Sequence, residues 1–322
     1  LLGIGEHQLT TAAAELVPQT VEGTPARGKS RRVYLYLIPA AILLVGVFAI
    51  PLVDSVVLSL QKSAGLAGTS GWAGLSNFKT ELTSAVFWQI AWQTVIWTVG
   101  VVSLTTVVSI GLASLIRDPF RGRTLCTALL MLPWASSIAV SGVVWLFALE
   151  PNGLVDRSLT LVGLQKAILP WLANTPQALV VLILIGVWIS VPFTTLIIAA
   201  GMKGIPKDIY EAASLESKSR LHLEWFITRP LLRHVILVSL MANFVVVFNS
   251  FPLIYVMTGG GPINNTSILA VYLYEQAFTD LDFGQASAIA VLVSLLLVAV
   301  TFVYVRLLIN RPSPYRRGAR VD

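Results

Sequence analysis

A single cysteine, Cys126, in a chain of 322 residues excludes an intrachain disulfide, and there is no C-x-x-C pair or His/Cys cluster to hold a metal. Histidine is almost as scarce. His7, His222 and His234 stand far apart and read as solvated or interfacial side chains rather than catalytic groups. Charge is thin as well: Asp, Glu, Lys and Arg make up 12% of the chain against 56% hydrophobic residues, and mean hydropathy is +0.79. Such a composition excludes an ordinary water-soluble domain.

Where charge is missing altogether, the apolar residues form long runs: 33–53, 90–116, 124–149, 178–202, 235–257 and 283–305. A hydrocarbon core of about 30 Å needs roughly 20 helical residues, and helices satisfy their own backbone groups where water is absent. The runs therefore predict an all-α membrane protein with six transmembrane helices. No internal repeat of the kind that builds many secondary transporters is visible.

Lys and Arg number 22, for a formal net charge of +6, and eighteen of them fall in alternate connections. Arg27, Lys29, Arg31 and Arg32 precede the first run, and Arg117, Arg121 and Arg123 follow the second. Lys203, Lys207, Lys218, Arg220, Arg229 and Arg233 follow the fourth, and Arg306, Arg311, Arg316, Arg317 and Arg320 follow the sixth. Only Lys62, Lys79, Arg157 and Lys166 lie on the other side. By the positive-inside rule both termini are expected in the cytoplasm. Basicity here reports topology, and no basic face remains for nucleic acid.

The stretch GTPARGKS, from Gly23 to Ser30, matches the phosphate-loop pattern G-x-x-x-x-G-K-[ST]. A working loop needs a buried strand before it and a helix facing the phosphates after it. Pro18 interrupts the only apolar stretch upstream, and downstream the chain runs into the first membrane run. Lys29 and its neighbours read instead as the basic anchor of that helix. Residues 1–32 are expected to form a cytoplasmic, disordered tail rather than a signal peptide, a transmembrane domain to cover 33–310, and 311–322 to form a basic cytoplasmic tail.

Trp72, Trp88 and Trp92 near a run boundary fit an aromatic belt. LVGLQKAILPWL in the second external connection is expected to lie flat on the outer surface. The connection 203–233, MKGIPKDIYEAASLESKSRLHLEWFITRPLLRH, is polar yet helical in pattern. Pro206 suits a first turn, Asp208 complements the dipole, and Ile205, Ile209, Ala212 and Ala213 share one stripe. Flanked by Glu211 and Glu216, that stripe suits either a groove on another protein or the chain's own bundle.

EAASLESKSRLHLEWFITRP resembles the EAA loop of membrane subunits of binding-protein-dependent ABC importers. Glu211, Ala212, Ala213, Glu216, Ile227 and Pro230 occupy matching positions. TGGGP at Thr258 to Pro262, YEQAF, DFGQASAIAV and GLSNF further resemble the carbohydrate-uptake branch, of the maltose, glycerol-phosphate and trehalose type, in its first-permease form. The resemblance covers roughly residues 33–310. Ser217 departs from the usual Gly, Glu224 from an aromatic residue and Arg229 from Leu; at a positive φ, Ser would cost on the order of 1 kcal/mol relative to Gly.

The resemblance implies a type I ABC importer permease fold, no catalytic, metal or cofactor site in this chain, and ATP with Mg in a partner. It implies that Glu211, Ala212, Ala213, Leu215, Glu216 and Ser217 form a coupling helix seated in an ATPase subunit. Implied partners are a second homologous permease, two ATPase subunits, an extracytoplasmic solute-binding protein, a sugar and the lipid bilayer of a bacterial plasma membrane. For the substrate path, Gly186, Ser190 and Phe193 share a face of the fourth run, Trp188 and Phe193 offer rings to a sugar, and Asn243, Val247 and Asn249 follow in the fifth. Gly186, Ile189, Ser190, Phe193, Asn243, Val246 and Val247 align with sugar-contacting positions of the maltose branch. Uncharged runs favour a neutral solute and disfavour the alternative, an ion- or proton-coupled secondary transporter, which needs intramembrane ionisable groups.

Overall fold

The computed structural model describes residues 31–309, apart from 66–67, 174–176 and 217–218. The phosphate-loop match, most of the N-terminal tail, the C-terminal tail and Ser217 lie outside the described residues. Two units divide after Val53. The described part of the first is helical: α1 (Arg31–Leu44), which contains Pro39, and a π-turn (Val45–Ala49) leading into α2 (Ile50–Ser59).

In the second unit a hairpin of β1 (Gln61–Ser63) and β2 (Thr69–Trp72) leads to α3 (Ser76–Thr83) and then α4 (Ala85–Arg117). The Ser84 hydroxyl accepts from Phe87 N–H and opens α4. Its 33 residues reach about 50 Å at 1.5 Å per residue. Asp118 ends it in extended backbone, as a residue before proline prefers.

The run 124–149, expected as one span, is two helices, α5 (Arg123–Ala135) and α6 (Ile138–Leu149), bent by 97°. Ser136 and Ser137 are extended, and the Ser136 hydroxyl donates to Pro133 O at 2.8 Å. That local bond offers the backbone an alternative to continuing the helix. α7 (Leu154–Leu161) follows. Within LVGLQKAILPWL, Leu161 closes α7 and Gln165–Ala167 forms a short 3₁₀ turn. Trp171 Nε1 donates to the buried Asp156 carboxylate at 2.9 Å and holds the segment in place.

α8 (Gln177–Lys203), α9 (Lys207–Glu216) and the short α10 (Arg220–Leu223) lead through a π-turn (Glu224–Thr228) into α11 (Arg229–Phe248). The fifth span is thus shifted from its expected limits 235–257. Its apolar segment, Glu224–Phe248, includes Arg229 and Arg233 in its first turns. It stops at Asn249 and Ser250, and Pro252 lies in the first turn of a new helix, α12 (Phe251–Thr258). α13 (Leu269–Tyr274) and α14 (Phe283–Ile309) complete the chain.

Among the described residues, five helices are long and apolar enough to cross a membrane, or six with the bent pair as one span. In the second unit, α8 packs along α4, and α11 lies against both. Trp97, Val101, Leu182 and Ile183 are buried in this contact, and Ile254 of α12 joins the same cluster. Close approach depends on small residues: a Cβ on Gly100 would stand 3.1 Å from Ile183 Cδ1. A second cluster at the basic end joins Ala113, Ile116, Ile198, Met202 and Leu232. At the opposite end, Asn77 Nδ2 donates to Ser59 O and Gln61 O at 2.8 and 2.9 Å, and the Ser63 hydroxyl donates to Leu281 O.

Candidate functional site

α9 stands on the second cluster. Ile205 is buried there, and Ile209 and Tyr210 pack against it. The Tyr210 hydroxyl lies 3.2 Å from Thr228 Oγ1, and the Arg117 guanidinium sits 4.4 Å over the Tyr210 ring. Arg117 also meets Asp118 at 3.3 Å and Glu224 at 3.8 Å. The ends of α4 and α11 are thereby joined to α9.

The expected stripe of Ile205, Ile209, Ala212 and Ala213 is divided by this seating. Ile205 and Ile209, four residues apart, face the chain's own bundle; Asp208, Glu211, Ala212 and Leu215 form the exposed face. Leu215 is 89% exposed. Glu216 ends the helix, and Ala213 is half-buried. An apolar tip beside carboxylates, on a helix fixed from behind, can enter a groove of another chain without refolding.

The nine candidate path residues are not gathered into one cavity. Gly186 is buried, and a Cβ there would lie 2.7 Å from Trp97 Cη2. Val247 is buried too, its carbonyl accepting from Trp97 Nε1 at 2.9 Å. Ile189 packs against the core, and Ser190 O accepts from the Thr194 hydroxyl. Trp188 meets Trp145 edge-on and Phe193 stacks on Trp134, both toward α5 and α6. Val246 is exposed on α11, as is Asn249, whose amide donates to Val245 O. Asn243 is buried and its Nδ2 has no hydrogen-bond partner.

A family model described as "Binding-protein-dependent transport system inner membrane component" matches residues 108–314. The chain belongs to that family. It is a multi-pass, membrane-spanning permease subunit of an ATP-binding-cassette importer. This permease is 39% identical over 233 residues to a probable ABC transporter permease protein of Brucella suis, covering 72% of this chain and 81% of that one. It is 33% identical over 279 residues to the sulfoquinovosyl glycerol transport system permease protein SmoG of Agrobacterium fabrum, covering 85% and 89%. With the trehalose/maltose transport system permease protein MalF of Thermococcus litoralis it shares 30% over 277 residues, covering 85% and 92%. A bacterial ABC transporter that imports the acidic polysaccharide alginate contains a chain of the same fold, with a TM-score of 0.75 at 19% identity over 86% of this permease and 95% of that chain. The fold is that of a type I importer permease.

Two parts of the permease went unread in its sequence. Trp97 bridges α8 and α11, but a Trp–Gly contact between separate spans leaves no local spacing signal. At the end opposite the basic one, Glu81 is 1% exposed and accepts from the Tyr272 hydroxyl at 3.2 Å. Burial raises its carboxyl above the ordinary carboxylate value, the hydrogen bond opposes that rise, and Asp282 adds to it. Burial and the Glu81 charge raise the Tyr272 phenol in turn.

Proposed function

We propose that this permease translocates a neutral sugar or oligosaccharide by alternating access, with force delivered through the exposed face of α9 by a separate ATPase subunit. The observation that carries the reading is the fixed helix with Leu215 at its outer tip. Seated on the ends of α4 and α11, α9 would pass a displacement directly to two spans. ATP and Mg belong to the ATPase subunits, of which two are expected, and a second homologous permease completes the gate.

The basic connections support an orientation with both termini in the cytoplasm of a bacterial plasma membrane. An extracytoplasmic solute-binding protein would deliver solute at the opposite end. The names of the trehalose/maltose and sulfoquinovosyl glycerol relatives support a carbohydrate. Neutrality is supported by uncharged central stretches of α4 and α8, which offer a charged solute no counter-charge.

The test uses Leu215→Cys in a Cys126→Ser background, with the full importer assembled in membranes. A photo-cross-linker attached to the thiol introduced at position 215 is expected to join α9 to the ATPase subunit, and Leu215→Asp to reduce uptake at least tenfold while the complex still assembles. No cross-link, together with undiminished uptake in Leu215→Asp, would remove α9 as the coupling element. Uptake that survives deletion of the ATPase would favour an ion-coupled carrier.

A further inference from the structure

Beside the basic end of α4, away from the exposed face of α9, lies an open recess of about 550 Å³. Its floor is apolar: Val107, Gly111 and Leu115 follow one another at single-turn spacing along α4. Its rim is ionic, formed by Arg117, Glu224 and Arg229 with Asp118 and Trp225 beside them. The apolar spans end at Arg117 and begin at Glu224. The rim therefore stands at the depth of lipid headgroups and the floor runs into hydrocarbon.

Two arginines and two carboxylates leave the rim with no net formal charge. Asp118 and the Glu224 Oε1 side are turned to Arg117, at 3.3 and 3.8 Å. Arg229 lies 3.6 Å over the Trp225 ring, and its Nε has no hydrogen-bond partner. Glu224 Oε2 has none either. A donor and an acceptor of opposite charge, both unsatisfied and both on one rim, are costly as they stand.

We propose that this recess binds a phospholipid with a phosphoethanolamine headgroup, its phosphate on Arg229, its ammonium on Glu224 and an acyl chain along Val107, Gly111 and Leu115. The headgroup carries an acceptor for the Arg229 guanidinium and a donor for the Glu224 carboxylate, whose Oε2 Arg117 leaves unpartnered. An anionic headgroup would gain from Arg229 but meet two carboxylates. Phosphocholine has the right charges but no N–H to donate to Glu224. Gly111 leaves room for the chain, since a Cβ there would meet nothing within 4 Å.

The experiment uses the purified, assembled importer, delipidated in detergent. Dioleoyl phosphatidylethanolamine, phosphatidylcholine and phosphatidylglycerol are added at equal concentration, and retention is read by native mass spectrometry. Phosphatidylethanolamine is expected to be retained about tenfold over phosphatidylcholine, the worth of one charge-assisted hydrogen bond. Glu224→Gln is expected to erase that margin, and Gly111→Phe to abolish retention while the complex stays assembled. Equal retention of all three lipids, or a preference for phosphatidylglycerol, overturns the proposal. So does loss of assembly in Gly111→Phe, which would mean that another subunit covers the recess. Should Glu224→Gln fail to assemble, the three-lipid comparison on the parent complex still decides.

Discussion

Replacing Gly186 with alanine distinguishes a packing glycine from one that lines a path. The new Cβ would stand 2.7 Å from Trp97 Cη2 and 3.0 Å from Val101 Cγ2, inside the roughly 3.5–4.0 Å at which carbon atoms attract. Trp97 is 1% exposed, and its Nε1 is bound to Val247 O, so the ring cannot retreat without straining α11. Overpacking of this kind costs about 1–3 kcal/mol, and loss of the indole hydrogen bond adds about 1 kcal/mol. The better helix propensity of Ala over Gly returns about 1 kcal/mol. The net expectation is a loss of about 1–3 kcal/mol, read as a lower unfolding midpoint of the purified importer in detergent. Adding Trp97→Phe to Gly186→Ala should restore part of the loss, because the smaller ring vacates the clash. A Gly186→Ala importer as stable as the parent, with solute affinity selectively reduced, would refute the packing argument and return Gly186 to the path.

Two further substitutions probe buried polar groups. Because folding raises the Glu81 value, the folded state binds more protons than the unfolded state between the ordinary carboxylate value and the raised one. The stability this group provides is therefore full in acid and is lost as pH rises through that window; Glu81→Gln should flatten the dependence and raise the unfolding midpoint at neutral pH, and an unchanged pH profile would sink the argument. Asn243 holds a buried amide nitrogen without a partner, so Asn243→Leu should assemble at least as well as the parent while uptake falls. If stability falls and uptake per assembled complex is preserved, the amide serves packing alone.

The membrane character and the number of spans were legible because uncharged runs are a statement about solvent, and that statement is local in sequence. Breaks in the spans were less so. Pro133 was visible, but the 97° bend depends on a serine hydroxyl three residues on capturing a carbonyl. Pro252 was visible too, yet whether a proline kinks a helix or starts one depends on whether Asn249 and Ser250 leave helical geometry. For α9, spacing defined the helix but not which side is covered: Ile205 and Ile209 meet a cluster that includes Ala113 and Ile116 of α4, residues far away in the chain. The proposed path was read as faces of single helices, whereas Trp97 belongs to a third helix and packs against both Gly186 and the Val247 carbonyl.

One phenol ring at position 210 touches a guanidinium from one span and a threonine from another. Such a knot restricts the freedom with which three helix ends can shear past one another. If the ATPase subunit drives α9 as proposed, motion imposed at that corner would spread as a near-rigid rotation instead of dissipating in a slack joint, and a small, local displacement would be felt across the thickness of the bilayer.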